Sequence, residues 1–317
     1  MADFIGRGQW DTVSLEGLYT CSPQVKAFLE KVKRAARVDS AILIRGETGT
    51  GKELVGAALH RLSARHDGPY HAINCATLTP ELMASEMFGH EKGAFTGATA
   101  ARQGMFEASH GGTLFLDEIA EAPLEIQSRL LRVVQDHMIT RLGSVKARHV
   151  DVRLISATHK SLRRESEAGR FRSDLMYRLR VVPLFLPPLR ERGEDIMMLT
   201  WRFIDEFNAR GGRQILGVSV AVRDCLMDYP WPGNVRELRN NIEVAFALGE
   251  GEVLLPGDLT PELQGRGPDG SLPGLEEQEK LAMLAAIAEA GGHKGRAAEA
   301  MGMARATFWR KLKKYNL

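Results

Sequence analysis

Eight residues, Gly46-Glu47-Thr48-Gly49-Thr50-Gly51-Lys52-Glu53, constrain this chain more tightly than any others. They follow an apolar strand-like run, Ala41-Ile42-Leu43-Ile44, and open a helical pattern from Leu54 to Ala64. In that context a G-x-x-x-x-G-K segment is a phosphate cradle: backbone N–H groups and the positive end of the helix suit phosphate oxygens. Lys52 is placed to reach the β and γ phosphates. Position 53 is Glu, so the hydroxyl that commonly ligates Mg²⁺ there is missing. A strand feeding such a loop ends at the carboxyl edge of a sheet, where ligands of α/β folds sit.

The rest of the chain fits that architecture. Strand-like runs recur at Tyr70–Ile73, Thr113–Leu116, Val152–Ser156 and Val181–Leu186, with helical patterns between several of them. Alternation of this kind predicts a largely parallel α/β sheet. Ser22 and Pro23 open a further helix, with apolar residues at Val25, Phe28, Leu29 and Val32. After Pro187-Pro188 only helical patterns remain, over Asp195–Arg210, Val218–Tyr229 and Val235–Gly249, as in a small helical lid. The expected organisation is a loose arm over 1–16, an α/β ATPase subdomain over 17–186 and a helical lid over 187–263. A linker over 264–274 and a small all-α domain over 275–317 complete it. Four Gly and two Pro in the eleven linker residues leave little apolar surface to offset chain entropy.

Bulk properties exclude more than they assert. Formal net charge is +2, so any basic, nucleic-acid-binding surface must be local. Cys21, Cys75 and Cys225 have no metal-ligand spacing and read as reduced thiols. No apolar leader follows a basic start and no run reaches the ~18 apolar residues of a membrane span, so a cytoplasmic protein is expected.

Two further segments carry chemistry. Gly111-Gly112-Thr113-Leu114-Phe115-Leu116-Asp117-Glu118 is an apolar strand ending in two carboxylates. Paired with the loop upstream it reads as the second nucleotide motif: Asp117 holds Mg²⁺ through its water shell and Glu118 polarises the attacking water. Phosphoryl transfer needs mainly positioning and charge neutralisation, which this division of labour supplies. Gly93-Ala94-Phe95-Thr96-Gly97-Ala98 sets an aromatic and a hydroxyl between glycines that can turn sharply. An exposed phenylalanine at such a tip usually touches a partner; the alternative is a turn with Phe95 folded inward.

In its context, Glu86-Met87-Phe88-Gly89-His90-Glu91-Lys92 and then the hexapeptide, the segment resembles the signature of bacterial enhancer-binding proteins. These are AAA+ ATPases that remodel RNA polymerase carrying sigma-54. The resemblance runs from about Leu18 to Leu263, and the family typically has Glu at the position of Glu53. It implies ATP and Mg²⁺ as cofactors, and Gly93, Ala94, Phe95, Thr96, Gly97 and Ala98 as the sigma-54 contact. By the same resemblance Asn74 holds the catalytic Glu118 until the partner is engaged. Thr158, ahead of His159, is the γ-phosphate sensor. Arg172 and Arg178 reach the ATP of a neighbouring subunit, and Arg236 is a second sensor reaching the phosphates from the lid. Self-association into a hexameric ring is implied, with a dimer as the inactive alternative.

The last 25 residues, from His293, hold seven Lys or Arg and one acid, the electrostatic footprint of nucleic-acid binding. Arg296–Met301 reads as a short helix, Gly302-Met303-Ala304 as a turn and Arg305–Tyr315 as a second helix. Phe308, Leu312 and Tyr315 share its packing face against Leu275–Ala290. The module resembles the Fis-type helix-turn-helix, which implies double-stranded DNA upstream of promoters as partner. Arg305, Thr307, Trp309, Arg310 and Lys313 are its candidate DNA contacts. Two rival readings are a repressor acting on ordinary polymerase, whose kind has usually lost the Gly93–Ala98 loop, and a protein unfoldase, which the helix-turn-helix opposes. With few residues before the ATPase, regulation is expected from a separate protein.

Overall fold

The computed structural model describes residues 4–265, 282–287, 290 and 293–315. The chain divides into two compact units, Met1–Leu254 and Leu255–Leu317.

Five parallel strands form the central sheet of the first unit: β1 (Ile42–Arg45), β2 (Tyr70–Asn74), β3 (Thr113–Asp117), β4 (Arg153–Thr158) and β5 (Val182–Phe185). Their spatial order is β5-β1-β4-β3-β2. Side chains alternate across the sheet and both faces are covered, so the strands read as nearly continuous apolar runs. Ile42, Ile44, Phe115, Ile155 and Ala157 pack on one face with Val25, Phe28, Leu29 and Val32 of helix Pro23–Ala36 and with Val55, Ala58 and Leu59 of helix Lys52–Arg61. Leu43, Leu114, Leu116 and Leu154 pack on the other with Ile126, Leu130 and Val133 of helix Leu124–Asp136 and with Leu175 and Leu179. The fold is thus a three-layer αβα P-loop architecture, as expected. Burying the charge of Arg153 inside the core requires compensating bonds. Its guanidinium donates to the carbonyls of Ala35, Ala36 and Leu59, at the ends of two helices.

The lid consists of helices Asp195–Ala209, Val220–Asp228 and Asn234–Leu248. It is not purely helical: Gly217–Ser219 pairs in parallel with Val253–Leu254 and antiparallel with Phe4–Ile5. The first sixteen residues are therefore not a loose arm along their whole length, because Phe4 and Ile5 complete a lid sheet and Val13–Leu15 forms a hairpin with Leu18–Thr20. Asp195, fully buried at the start of the first lid helix, accepts hydrogen bonds from the Thr20 hydroxyl and from the backbone N–H groups of Cys21 and Ser22. These bonds fasten the lid to the segment entering the sheet.

In the second unit, residues 282–287 are helical, followed by helices Lys294–Ala300 and Arg305–Tyr315. Gly302 turns between the last two with φ +62°, a conformation that favours glycine. Phe308 and Leu312 pack on Met283, Ala286, Ala297 and Ala298 in a small core. The packing of Tyr315 and most of the linker expected over 264–274 lie outside the described residues, as does most of the expected helix 275–290.

Candidate nucleotide site and partner loop

A cavity of about 610 Å³ opens at the carboxyl edge of the sheet. The phosphate loop forms its floor from Thr48, Gly49, Thr50, Gly51, Lys52 and Glu53. Asn74, Asp117, Glu118 and His159 line one side, and Leu199, Phe203 and Arg236 of the lid close the other. Gly49 and Gly51 hold left-handed φ of +78° and +102°. A Cβ on Gly49 would meet the Gly233 carbonyl oxygen at 2.2 Å, and Val235 donates its N–H to the Gly49 carbonyl. That glycine therefore serves the docking of loop and lid as well as the turn. Gly46 and Glu47 stand outside the cavity. The Glu47 carboxylate pairs with Arg190 at 2.6 Å and accepts from Asn234, so it latches the loop to the lid.

Inside the cavity two adjacent carboxylates have opposite fates. In the sheet register Asn74 lies opposite Asp117, and its carboxamide donates to Asp117 Oδ2 at 3.3 Å. The other Asp117 oxygen is buried with no hydrogen-bond partner. Burial, and then the neighbouring Glu118 charge, raise the Asp117 carboxyl above its ordinary range. A buried, unpaired carboxylate oxygen is a group whose cost a cation and its water shell would relieve. The donor set therefore fits Mg²⁺ at Asp117.

Glu118 sits at the strand end with φ +49°, and this left-handed turn carries its side chain away from Asn74. Lys52 Nζ reaches Glu118 Oε1 at 3.1 Å while also donating to the carbonyls of Gly46 and Glu47. His159 gives Glu118 Oε2 two bonds, from ring Nδ1 at 2.7 Å and from its backbone N–H at 3.2 Å. Burial alone would raise this carboxyl; the His159 hydrogen bond and the Lys52 charge outweigh it, and the net displacement is downward.

Two expectations are corrected here. Asn74 does not hold Glu118, because the parallel register delivers its amide to Asp117. Thr158 does not face the cavity: its side chain is fully buried and its hydroxyl accepts from the Lys160 N–H. His159, one residue on, occupies the lining instead. Three cavity arginines escaped the sequence reading. Arg192 donates to the Thr50 carbonyl, and burial pushes its guanidinium down to about 10. Arg202 stacks 3.2 Å over the Tyr19 ring, and Arg239 pairs with Glu206. Helical spacing gave no sign of which arginines of the lid would face inward.

Arg172 is the N-cap of helix Ser173–Leu179 and Arg178 lies in its last turn; both are exposed, and neither lines the cavity of its own chain. Arg172 pairs with Asp174 at 2.8 Å. The Gly93–Ala98 hexapeptide is likewise outside the cavity. Gly93 and Gly97 are left-handed, at +82° and +104°, and the Gly93 N–H closes the loop on the Ala98 carbonyl. Thr96 is exposed, and Phe95 is 44% exposed with its ring edge-on to His90 at 5.0 Å. The loop stands on a hairpin of Met138–Thr140 and Ala147–His149: Glu91 N–H bonds the Leu142 carbonyl, and Leu142 N–H the Gly89 carbonyl. Arg141 and Arg148 of that hairpin engage Glu91 and Glu107.

In the second unit Trp309 is 56% exposed, with Lys294 Nζ 5.5 Å from its ring, and Arg310 is exposed beside it. Thr307 is half-buried. Arg305 and Lys313 lie on the same helix, and their side-chain placement is outside the described residues. No helix among the described residues is long and apolar enough to cross a membrane. Cys75 is buried, which pushes its thiol up to about 12, in keeping with an unreactive group.

Residues 18–185 match the Sigma-54 interaction domain family, 190–273 the AAA+ ATPase lid domain and 274–315 the Fis family of bacterial regulatory proteins. The chain belongs to the sigma-54 interaction family of AAA+ ATPases. It is an ATPase and a sigma-54-dependent transcriptional activator with a DNA-binding helix-turn-helix. It is 46% identical over 302 residues to the transcriptional regulatory protein ZraR of Klebsiella oxytoca, covering 93% of this chain and 68% of the relative. It is 43% identical over 306 residues to the alginate biosynthesis regulator AlgB of Pseudomonas aeruginosa, covering 95% and 68%. Among solved structures, NtrX of Brucella abortus in complex with ADP is similar at TM-score 0.72 and 36% identity, over 96% of this chain and 70% of that one.

Proposed function

We propose that the protein binds DNA upstream of promoters, assembles as a hexameric ring, and uses ATP hydrolysis to convert closed sigma-54 polymerase complexes to open ones. The observation that carries this reading is the Phe95–Thr96 tip: it is solvent-exposed, pinned by two left-handed glycines, and separate from the nucleotide cavity. Within the cavity Lys52 supplies positive charge to the phosphates, Glu118 orients the attacking water, and Arg236 approaches from the lid. Asp117 holds Mg²⁺, which when bound neutralises phosphate charge. The exposure of Arg172 and Arg178, away from their own chain's cavity, supports a role on a neighbouring subunit's ATP, so hydrolysis waits for assembly.

Thr96→Ala tests the reading. The variant is expected to bind ATP and promoter-upstream DNA as the parent does while failing to form open complexes. Open-complex formation at the parental rate would contradict the assignment of the tip, and a parent that itself forms no open complexes would favour the repressor reading.

A further inference from the structure

The nucleotide cavity shares a wall with a second hollow, of about 570 Å³, bounded by residues 7–12, by Tyr19 and by the first lid helix. Three aromatic side chains, Trp10, Tyr19 and Trp201, line it together with Met198. Such a volume and such walls suit a small ligand with a ring of its own. Tyr19 and Arg202 line both spaces. We propose that this hollow binds a small aromatic carboxylate, and that its occupancy weakens ATP binding through Arg202.

The charges around the hollow decide the sign of the ligand. Asp205 is taken by Arg7 at 2.8 Å, and Glu206 by Arg210 and Arg239. Arg202 is exposed, and among the described residues its partner is the Tyr19 ring, 3.2 Å from guanidinium carbon to ring centre. A ring face leaves the guanidinium N–H groups without an acceptor, and a carboxylate matches that planar fork. Trp201 is buried, and its indole N–H also lacks an acceptor. Both unmatched groups on this wall are donors, which selects an acceptor-bearing anion over a cation. Trp10 is held in place by its own segment. Asp11 pairs with Lys26 of helix Pro23–Ala36 at 2.6 Å, the Thr12 hydroxyl donates to the Trp10 carbonyl, and a Cβ on Gly8 would meet the Trp10 ring at 2.8 Å.

Coupling follows from the shared wall. Arg202 lends positive charge to the cavity that takes the polyanionic ATP. A carboxylate in the hollow neutralises that charge and holds the guanidinium on its own side. ATP then binds less tightly, and ATP in turn weakens the carboxylate by the same factor. The coupling rests on ATP occupying the nucleotide cavity; the binding does not.

The test titrates 2-naphthoate into the full chain by calorimetry, with 2-naphthamide as its uncharged counterpart. The expected result is saturable one-to-one binding, about tenfold weaker for the amide and about tenfold weaker in Trp10→Leu. ATP titrations in rising naphthoate should show the ATP Kd increase and then level off about fivefold or more above its starting value. Trp10→Leu keeps the parental ATP affinity and needs more naphthoate for the same rise. Absence of saturable binding overturns the proposal, and so does equal binding of acid and amide, or of parent and Trp10→Leu. An ATP Kd that climbs without a plateau places naphthoate inside the nucleotide cavity and overturns it too. An unchanged or tightened ATP affinity overturns the coupling through Arg202. If Trp10→Leu does not fold, the acid–amide comparison and the plateau, both read on the unaltered protein, decide. A parent that binds naphthoate as expected but no ATP sinks the reading of the nucleotide cavity, independently of the hollow.

Discussion

Asp117 and Glu118 are neighbours in sequence, yet one is raised and the other lowered from the ordinary carboxylate range. The difference is one of partners: Glu118 has a cation and two N–H donors, Asp117 a single amide and one orphaned oxygen. A folded-state pKa raised by burial means that Asp117 costs stability at neutral pH, and that the cost disappears as acid protonates it. Asp117→Asn should therefore raise the stability of the nucleotide-free protein by about 1 kcal/mol while abolishing Mg²⁺-supported hydrolysis. Thermal melting beside phosphate release checks both; a lower Tm would mean that Asp117 is already well paired. Much of this site was legible in sequence, because the spacing of Lys52, Asp117 and Glu118 from their strands fixes where they stand. What escaped was direction. Nothing in the letters announces that Glu118 takes φ +49° and turns from Asn74 toward His159, or that the register pairs Asn74 with Asp117.

At the scale of elements, the partner loop depends on its neighbours. Helix Met105–Ala108 and the hairpin at 138–149 are joined by Glu107, which accepts from Arg141 Nε at 2.6 Å and pairs with Arg148. The Arg141 hydrogen bond, outweighing burial, holds the Glu107 carboxyl below its usual value. A lowered acid pKa contributes stability that is present above about pH 4.3 and is lost as pH falls through the folded-state value. Glu107→Gln should cost about 1–3 kcal/mol at pH 7, and the difference from the parent should shrink in acid. Denaturant melts at several pH values measure it; a difference independent of pH would show that charge plays no part. Gly49 ties two other elements. Gly49→Ala puts a methyl group against the Gly233 carbonyl, so it should loosen the lid and weaken ATP binding at least tenfold, an effect of about 1.4 kcal/mol, as read by nucleotide titration. Unchanged affinity would mean that loop and lid separate freely. The sheet strands were readable because runs buried on both faces are continuous and apolar. The lid strand Gly217–Ser219 was absorbed into the following helix, since three residues with a strand register set by Phe4–Ile5 leave no local pattern.

For the whole molecule the account is one of coupling between copies and between sites. If Arg178 completes a neighbour's cavity, Arg178→Ala alone should lose about 10³-fold in turnover. Mixing it with Lys52→Ala protein should restore a fraction, each chain supplying what the other lacks. A mixture no more active than its parts contradicts action across the interface. The central claim is that ATP does work on sigma-54 through Phe95 and Thr96, and work requires the loop to bind its partner better in one nucleotide state than in another. The direct measurement is sigma-54 capture by the full chain in ATP, in ADP and in a transition-state analogue of hydrolysis. Capture that is strong with the analogue, weak with ADP and lost in Thr96→Ala is the predicted result. Equal capture in all three states, or none in any, would contradict it.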